Sequence, residues 1–379
     1  MLDSSGVHPR RPHLPGVESL RGHAAFAIVI FHVIHIAQTP IPQALEFMKW
    51  FFGFGVPLFF VVSAFSLAYG YDGKLSRADQ VGEFYLRRVL RIAPLYYLAI
   101  LAQMAAIAAT GYDQPSWTMG ALSFAFVFNL HPPAVDGIAP ASWSIGVEML
   151  FYAVFPFLLA LAKTLPRAVL VTAALAALAV AFAVIATDLK LNPAFVSHGL
   201  LFNLPYFGFG LIAYHLYRVT PTRWGGALVV VGLAGIVGLY AVAKFHGATF
   251  AALVPNTLYQ AAWGVPFGLL CLGMALRPPR LMSNPITQFL GKISFGVYLA
   301  HPHVISGLMT LGIYDRILQT PGGSGMSFPL AVLATCAVVI PLAWLLYEHV
   351  EAPGIRFGRR LVARLGLGHP NGAQRSASA

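Results

Sequence analysis

Apolar positions along the chain collect into ten runs long enough to cross a bilayer. They fall at about 23–40, 51–70, 92–110, 145–162, 168–187, 198–216, 225–243, 257–276, 293–313 and 328–347. A hydrocarbon core roughly 30 Å thick needs about 20 residues of helix, and each run approaches or meets that length. The pattern predicts an all-α, polytopic membrane protein with about ten transmembrane helices. A further apolar piece, MGALSFAFVFNL at 119–130, has only twelve residues. It is expected to lie in the interface or re-enter, leading into the loop HPPAVDGIAPAS. Glycine and alanine recur in the spans, as in VVVGLAGIVGLY, where they let helices approach closely. No internal repeat is evident.

The first run has a polar beginning, ESLRGHAAFAIVIFHVIH at 18–35. Arg21 and His32 are eleven residues apart, close to three full helical turns, so a helix places both on one stripe with about 16 Å of rise between them. Arg21 then sits at one rim of a bilayer and His32 near its middle, with His35 leaning to the same side. An ionisable ring at that depth points to function; the competing reading is a histidine that only bonds a neighbouring helix.

Composition agrees with the membrane reading: 58% of the 379 residues are hydrophobic and 10% charged, against about a quarter charged in soluble domains. The net charge of +11 could suggest nucleic acid, but its distribution explains it better and no nucleic-acid partner is expected. With the N-terminus in the cytoplasm, the inner segments hold three, five, two, two, three and five Lys or Arg, 20 of the 24 in the chain. Lys49, Lys190, Lys244 and Arg316 remain outside, as the positive-inside rule requires. Letting 119–130 span would reverse the last four groups. The expected organisation is a cytoplasmic segment at 1–22, a membrane domain at 23–357 and a cytoplasmic, disordered tail at 358–379. Arg10 and Arg11 before the first run superficially fit a secretion signal, but Pro12, Pro15, Glu18 and Arg21 intervene and no small-x-small site follows. Cys271 and Cys336 lie in separate apolar runs, which indicates neither a disulfide framework nor a metal site.

Chemistry-bearing residues cluster at four further places. FYLRRVLRIAPLYY gathers Arg87, Arg88 and Arg91 within one helical turn, with Pro94 marking the entry into the third span. Guanidinium forks there suit a polyanion, and equally suit an inner-face anchor. ASWSIGVEMLFY puts Trp143 and Ser144 at the outer start of the fourth span and Glu148 one turn deeper, where His32 can approach it as a base beside its orienting carboxylate or as a helix-holding pair. ISFGVYLAHPHVI places Tyr298 and His301 on one face, and YEHVEAPGIRFGRR ends the last span with Glu348, Glu351 and a stopping Pro353. His303 and His349 read as polar helix ends. The serine-hydrolase elbow, Walker loop, dinucleotide glycine pattern and zinc HExxH pattern are absent.

Taken in order, these motifs resemble the membrane acyltransferase family 3, integral-membrane enzymes that O-acylate cell-surface glycans and some small molecules. The resemblance covers about 18–357. It rests on Arg21 and His32; on FFVVSAFSLAY at Phe59–Tyr69, where Ala64 replaces the usual glycine; and on Arg87, Arg88, Arg91, Ile92, Pro94 and Tyr96. It rests also on Trp143, Ser144 and Glu148, with Met149 in place of a second acid; on Ser294, Phe295, Tyr298 and His301; and on Glu351 to Pro353. The resemblance implies transfer of a short acyl group, acetyl by preference, from acetyl-CoA or another acyl-CoA to a hydroxyl of a glycan or lipid-linked sugar, in the cytoplasmic (inner) membrane and among its lipids. It implies that Arg87, Arg88 and Arg91 hold the CoA phosphates. His32 becomes the general base or a transient acyl carrier, Glu148 orients His32 or binds the acceptor, and Arg21 binds donor or steadies the thioester oxyanion. No cofactor is expected to be bound permanently. The acceptor could also be a small molecule such as a macrolide. A transporter or flippase for a sugar or lipid precursor is the alternative of another class; its usual internal symmetry and paired broken helices are not found. Oligomeric state is not readable.

Overall fold

A computed structural model describes residues 12–111, 113–253 and 256–367, with side chains at 246–253 left aside. Among these residues the chain is helical throughout and has no strand. The main helices are α1 (Pro15–His35), α2 (Gly55–Tyr71), α3 (Ala78–Thr110), α4 (Trp143–Leu161), α5 (Leu165–Asp188), α6 (Leu200–Tyr217), α7 (Gly225–Leu253) and α8 (Gly264–Leu276). They continue with α9 (Pro285–Lys292), α10 (Ser294–Thr310), α11 (Gly323–Leu346) and α12 (Ala352–Arg364).

Nine helical stretches among the described residues are long and apolar enough to cross a membrane. The expected ninth span corresponds to α10, which has 17 residues and rises about 25 Å. Residues 119–130 do not form a crossing helix: Trp117–Phe124 is a helix of eight residues, followed by 3-10 turns at Phe128–Leu130 and Pro132–Ala134.

The position of α1 follows from its sequence. Val17, Leu20, Ala24 and Ile28 recur at helical spacing and enter one core with α2, α4, α6 and α8. Ala25, Val29 and Val33 form a second stripe that packs with Val297 and Ile305 of α10 and Val339 of α11. The helix therefore stands between two groups of helices. At about 100° per residue, Arg21 and His32 fall between the two apolar stripes, so both polar side chains are directed to the seam. Close approach is allowed by missing side chains. A Cβ on Gly22 would lie 2.8 Å from the Thr287 carbonyl oxygen, and one on Gly55 would lie 2.7 Å from that of Ala24. A Cβ on Gly291 would strike the Glu18 carbonyl. Around this centre, α5 and α7 carry rows of exposed apolar side chains, among them Leu170 at 70% and Val230 at 65%, as lipid-facing helices do.

The two prolines read as boundaries are not boundaries. Pro94 lies inside α3, one continuous helix of 33 residues. Its ring removes the hydrogen bond to Leu90, and the last helix meets that irregularity with a glycine: a Cβ on Gly354 would be 2.9 Å from both the Leu90 carbonyl oxygen and Pro94 Cγ. Pro353 likewise fails to stop the chain. A π turn at Tyr347–Glu351 joins α11 to α12, in which Pro353 occupies the first turn, where a missing N–H costs nothing. The helix reaches Arg364, beyond the expected end of the membrane domain at 357; the NGAQRSASA end lies outside the described residues. Ala64 stands where a glycine was expected, and the small partner is supplied across the interface: a Cβ on Gly210 of α6 would lie 2.8 Å from that of Ala64.

Candidate active site

Five of the helices and the π turn converge on the seam. There a cleft with about 650 Å³ of empty space is lined by Arg21, Phe59, Phe60, Ser63, Arg91, Ser144, Glu148, Tyr152, Ser294, Phe295 and Tyr298, among others. A second hollow of about 750 Å³ opens beside the start of α1, lined by Pro12, His13, Glu18, Phe65, Ser66 and Tyr69. Arg21 and Arg91 line both. These two guanidinium groups therefore stand where the hollows meet. Neither makes a hydrogen bond or ion pair among the described residues, so their donors are available to a guest.

The carboxylate of the cleft is held by hydroxyls. Ser144, Glu148 and Tyr152 are spaced by four on α4 and share one face. Glu148 Oε1 accepts from Ser63 Oγ at 2.7 Å and from the Tyr152 hydroxyl. Tyr298 donates to the Ala141 carbonyl at 2.7 Å and pairs with Ser144 Oγ at 2.7 Å. Glu148 lies within electrostatic reach of Arg21 and Arg88, while Glu351, 2% exposed, is within reach of Arg91 and Arg21. One Glu351 oxygen, Oε2, has no hydrogen-bond partner. Three guanidinium groups thus face two carboxylates, leaving a surplus positive charge for an anion.

The start of α4 is fixed by the loop before it. Asn129 donates to the carbonyls of Val135 (3.1 Å), Trp143 (3.4 Å) and His198 (2.9 Å). Trp143 does not line the cleft; its ring stacks on His198 at 4.3 Å and 12°, and His198 in turn holds Asp136 at 2.6 Å.

The histidines form a separate part. His32 Nδ1 and His301 Nε2 are 2.8 Å apart. The His301 ring lies 5.8 Å from that of Tyr298, which lines the cleft; neither histidine lines it. The group at His32 is therefore His301, while Glu148 sits with the arginines. The expected arginine cluster is divided too. Arg87 is paired with Glu83, Nε to Oε1 at 2.7 Å. Arg88 lies over the Tyr71 ring at 5.7 Å with its Nε unpartnered. Only Arg91 of the three lines the hollows. Tyr152 and Ser63 were given no role from sequence, although the four-residue spacing of Glu148 and Tyr152 is a readable signal. The Glu83–Arg87 spacing is another. Among the described residues no group of three or more His, Cys, Asp or Glu could hold a metal ion.

Helices of membrane-crossing length around an interior cleft, with an imidazole pair and free guanidinium groups at its wall, define an integral-membrane group-transfer protein. The chain belongs to the acyltransferase-domain family of the earlier resemblance, whose model matches residues 14–348, and it is an acyltransferase of groups other than aminoacyl. It is similar to the acyltransferase MdmB of Streptomyces mycarofaciens (27% identity, 93% of this chain and 94% of the relative). It is similar also to nodulation protein 10 of Rhizobium leguminosarum bv. viciae (25%, 93% and 96%). A third relative is the exopolysaccharide production protein ExoZ of Rhizobium meliloti (28%, 83% and 92%). No solved structure matches.

Proposed function

We propose that this protein moves an acetyl or other short acyl group from acyl-CoA to a hydroxyl of a cell-surface or exported glycan, or of its lipid-linked precursor, in the cytoplasmic membrane. The observation that carries the reading is the pair of unpartnered guanidinium groups, Arg21 and Arg91, at the meeting of two hollows. An anionic donor entering beside the start of α1 would meet them with its phosphates, since guanidinium forks bind phosphate oxygens two at a time. The thioester would reach on into the cleft. The name of the exopolysaccharide production relative favours a saccharide acceptor.

In this reading His32 takes the proton of the acceptor hydroxyl, whose oxygen attacks the thioester carbonyl carbon. The C–S bond breaks, and the CoA thiolate leaves with the proton that His32 returns. Arg21 steadies the negative carbonyl oxygen as it forms. Glu148, with Ser63 and Tyr152, holds the acceptor or balances the arginines. A deletion strain should lose acyl groups from its surface glycan and regain them on complementation. Unchanged glycan acylation in that strain would overturn the glycan acceptor and direct attention to a small molecule.

The orientation belongs to the same proposal. With both termini in the cytoplasm and ten crossings, a reporter fused after Gly111 should report the outside, and reporters after Arg167 and Arg223 the cytoplasm. A cytoplasmic signal after Gly111 would reverse the side from which the donor enters.

A further inference from the structure

His32 and His301 are 269 residues apart in sequence and meet ring to ring, with centroids 4.8 Å apart and planes at 39°. Between two neutral imidazoles at this distance one nitrogen donates and the other accepts. Two backbone carbonyls decide which. His301 Nδ1 is 3.1 Å from the Val297 carbonyl oxygen, one turn back on α10. A carbonyl can only accept, so Nδ1 of His301 carries the proton and its Nε2 is a lone pair. His32 Nδ1 must then be the donor, and the Ile28 carbonyl at 3.1 Å shares the same proton. The lone pair of His32 is left on Nε2, for which no hydrogen-bond partner occurs among the described residues. Phe31 stands edge-on to the His32 ring at 5.2 Å, and His301 is fully buried.

We propose that His301 is a positioning residue: its Nε2 lone pair, facing His32 Nδ1, holds His32 in the tautomer that presents a free Nε2 to the acceptor hydroxyl. This rests on His32 being the base. In serine hydrolases a carboxylate does this for the histidine. Here a neutral ring does it, which avoids an ionised acid deep among apolar side chains. When His32 gains a proton on Nε2, the bond from Nδ1 to His301 becomes charge-assisted and strengthens, so the partner also favours the step.

The test uses three substitutions of His301 in native membranes. Glutamine ends where Nε2 was and can accept from His32. Asparagine ends where Nδ1 was, keeps a donor for the Val297 carbonyl and cannot reach. Leucine does neither. We expect kcat to fall about 10- to 100-fold in His301→Leu and His301→Asn, the range typical of partners that orient a functional histidine, with KM for acetyl-CoA and acceptor little changed. His301→Gln should recover most of kcat. Near-parental kcat in His301→Leu or His301→Asn, or a His301→Gln enzyme as slow as the leucine variant, would overturn the assignment. If leucine prevents insertion, the asparagine and glutamine pair still decides. His32→Ala in the same membranes separates the two ideas. Activity there sinks the base itself, whereas an inactive His32→Ala beside a fully active His301→Leu sinks only the positioning role.

Discussion

Replacing His32 by alanine is expected to abolish measurable acyl transfer while the protein remains in the membrane at the parental level. A positioned base contributes typically 10²- to 10⁴-fold, which in a whole-cell glycan assay reads as complete loss. The structural cost is smaller. The substitution leaves His301 Nε2 without its partner, and an unsatisfied buried polar group costs about 1–3 kcal/mol. The apolar stripes of α1, with Leu20 and Ile28 on one side and Val29 and Val33 on the other, are untouched by it. Acylation near the parental level at matched expression would mean that the histidine pair only holds α1 to α10.

The second large effect separates donor binding from anchoring among the arginines. Arg21→Lys and Arg91→Lys keep charge and lose the two-point fork. If these groups hold phosphates, each should raise the acetyl-CoA concentration needed in membrane vesicles at least about tenfold. A lost charge-assisted hydrogen bond is worth roughly 1.5–3 kcal/mol, and each 1.4 kcal/mol is tenfold. Acceptor dependence should change little. Arg87→Lys should be nearly silent, because Glu83 already occupies that guanidinium and accepts an ammonium as well. An unaltered donor requirement in Arg91→Lys, with normal insertion, would make the cluster an anchor. Lys292 would be the next candidate, although it lies 3.5 Å from Glu348.

Features written in local spacing were legible without coordinates. The apolar runs located the helices, and the eleven-residue interval placed Arg21 and His32 on one stripe of α1. The twelve-residue piece at 119–130 was correctly too short to cross. Features that depend on partners distant in sequence were not. Nothing local says that His301 comes to His32, or that Glu148 is satisfied by Ser63 of another helix and so stands with the arginines. The arginines themselves were misleading because a shared turn is not a shared direction: Arg87 turns to Glu83, Arg88 to Tyr71, and Arg91 inward. Pro94 and Pro353 were read by the ordinary rule that proline ends helices. The rule gave way where Gly354 fits against one irregular turn and a π turn precedes the other, and neither compensation shows in the residues beside the proline.

The π turn at Tyr347–Glu351 has a consequence for what the chain tolerates in length. Such a turn holds one residue more than a regular helix would use over the same rise. Removing a single residue within it would let α11 run straight into α12. It would also rotate everything downstream by about 100°. Gly354 would leave its seat against Leu90 and Pro94, and the row that now buries Gly358 and Val362 would face away from α3. Glu351 would be displaced from the arginines at the same stroke. The extra residue therefore acts as a register key, tying the depth of a buried carboxylate to the docking of the last helix, and a one-residue gap at this point is far less tolerable than a one-residue gap in a loop.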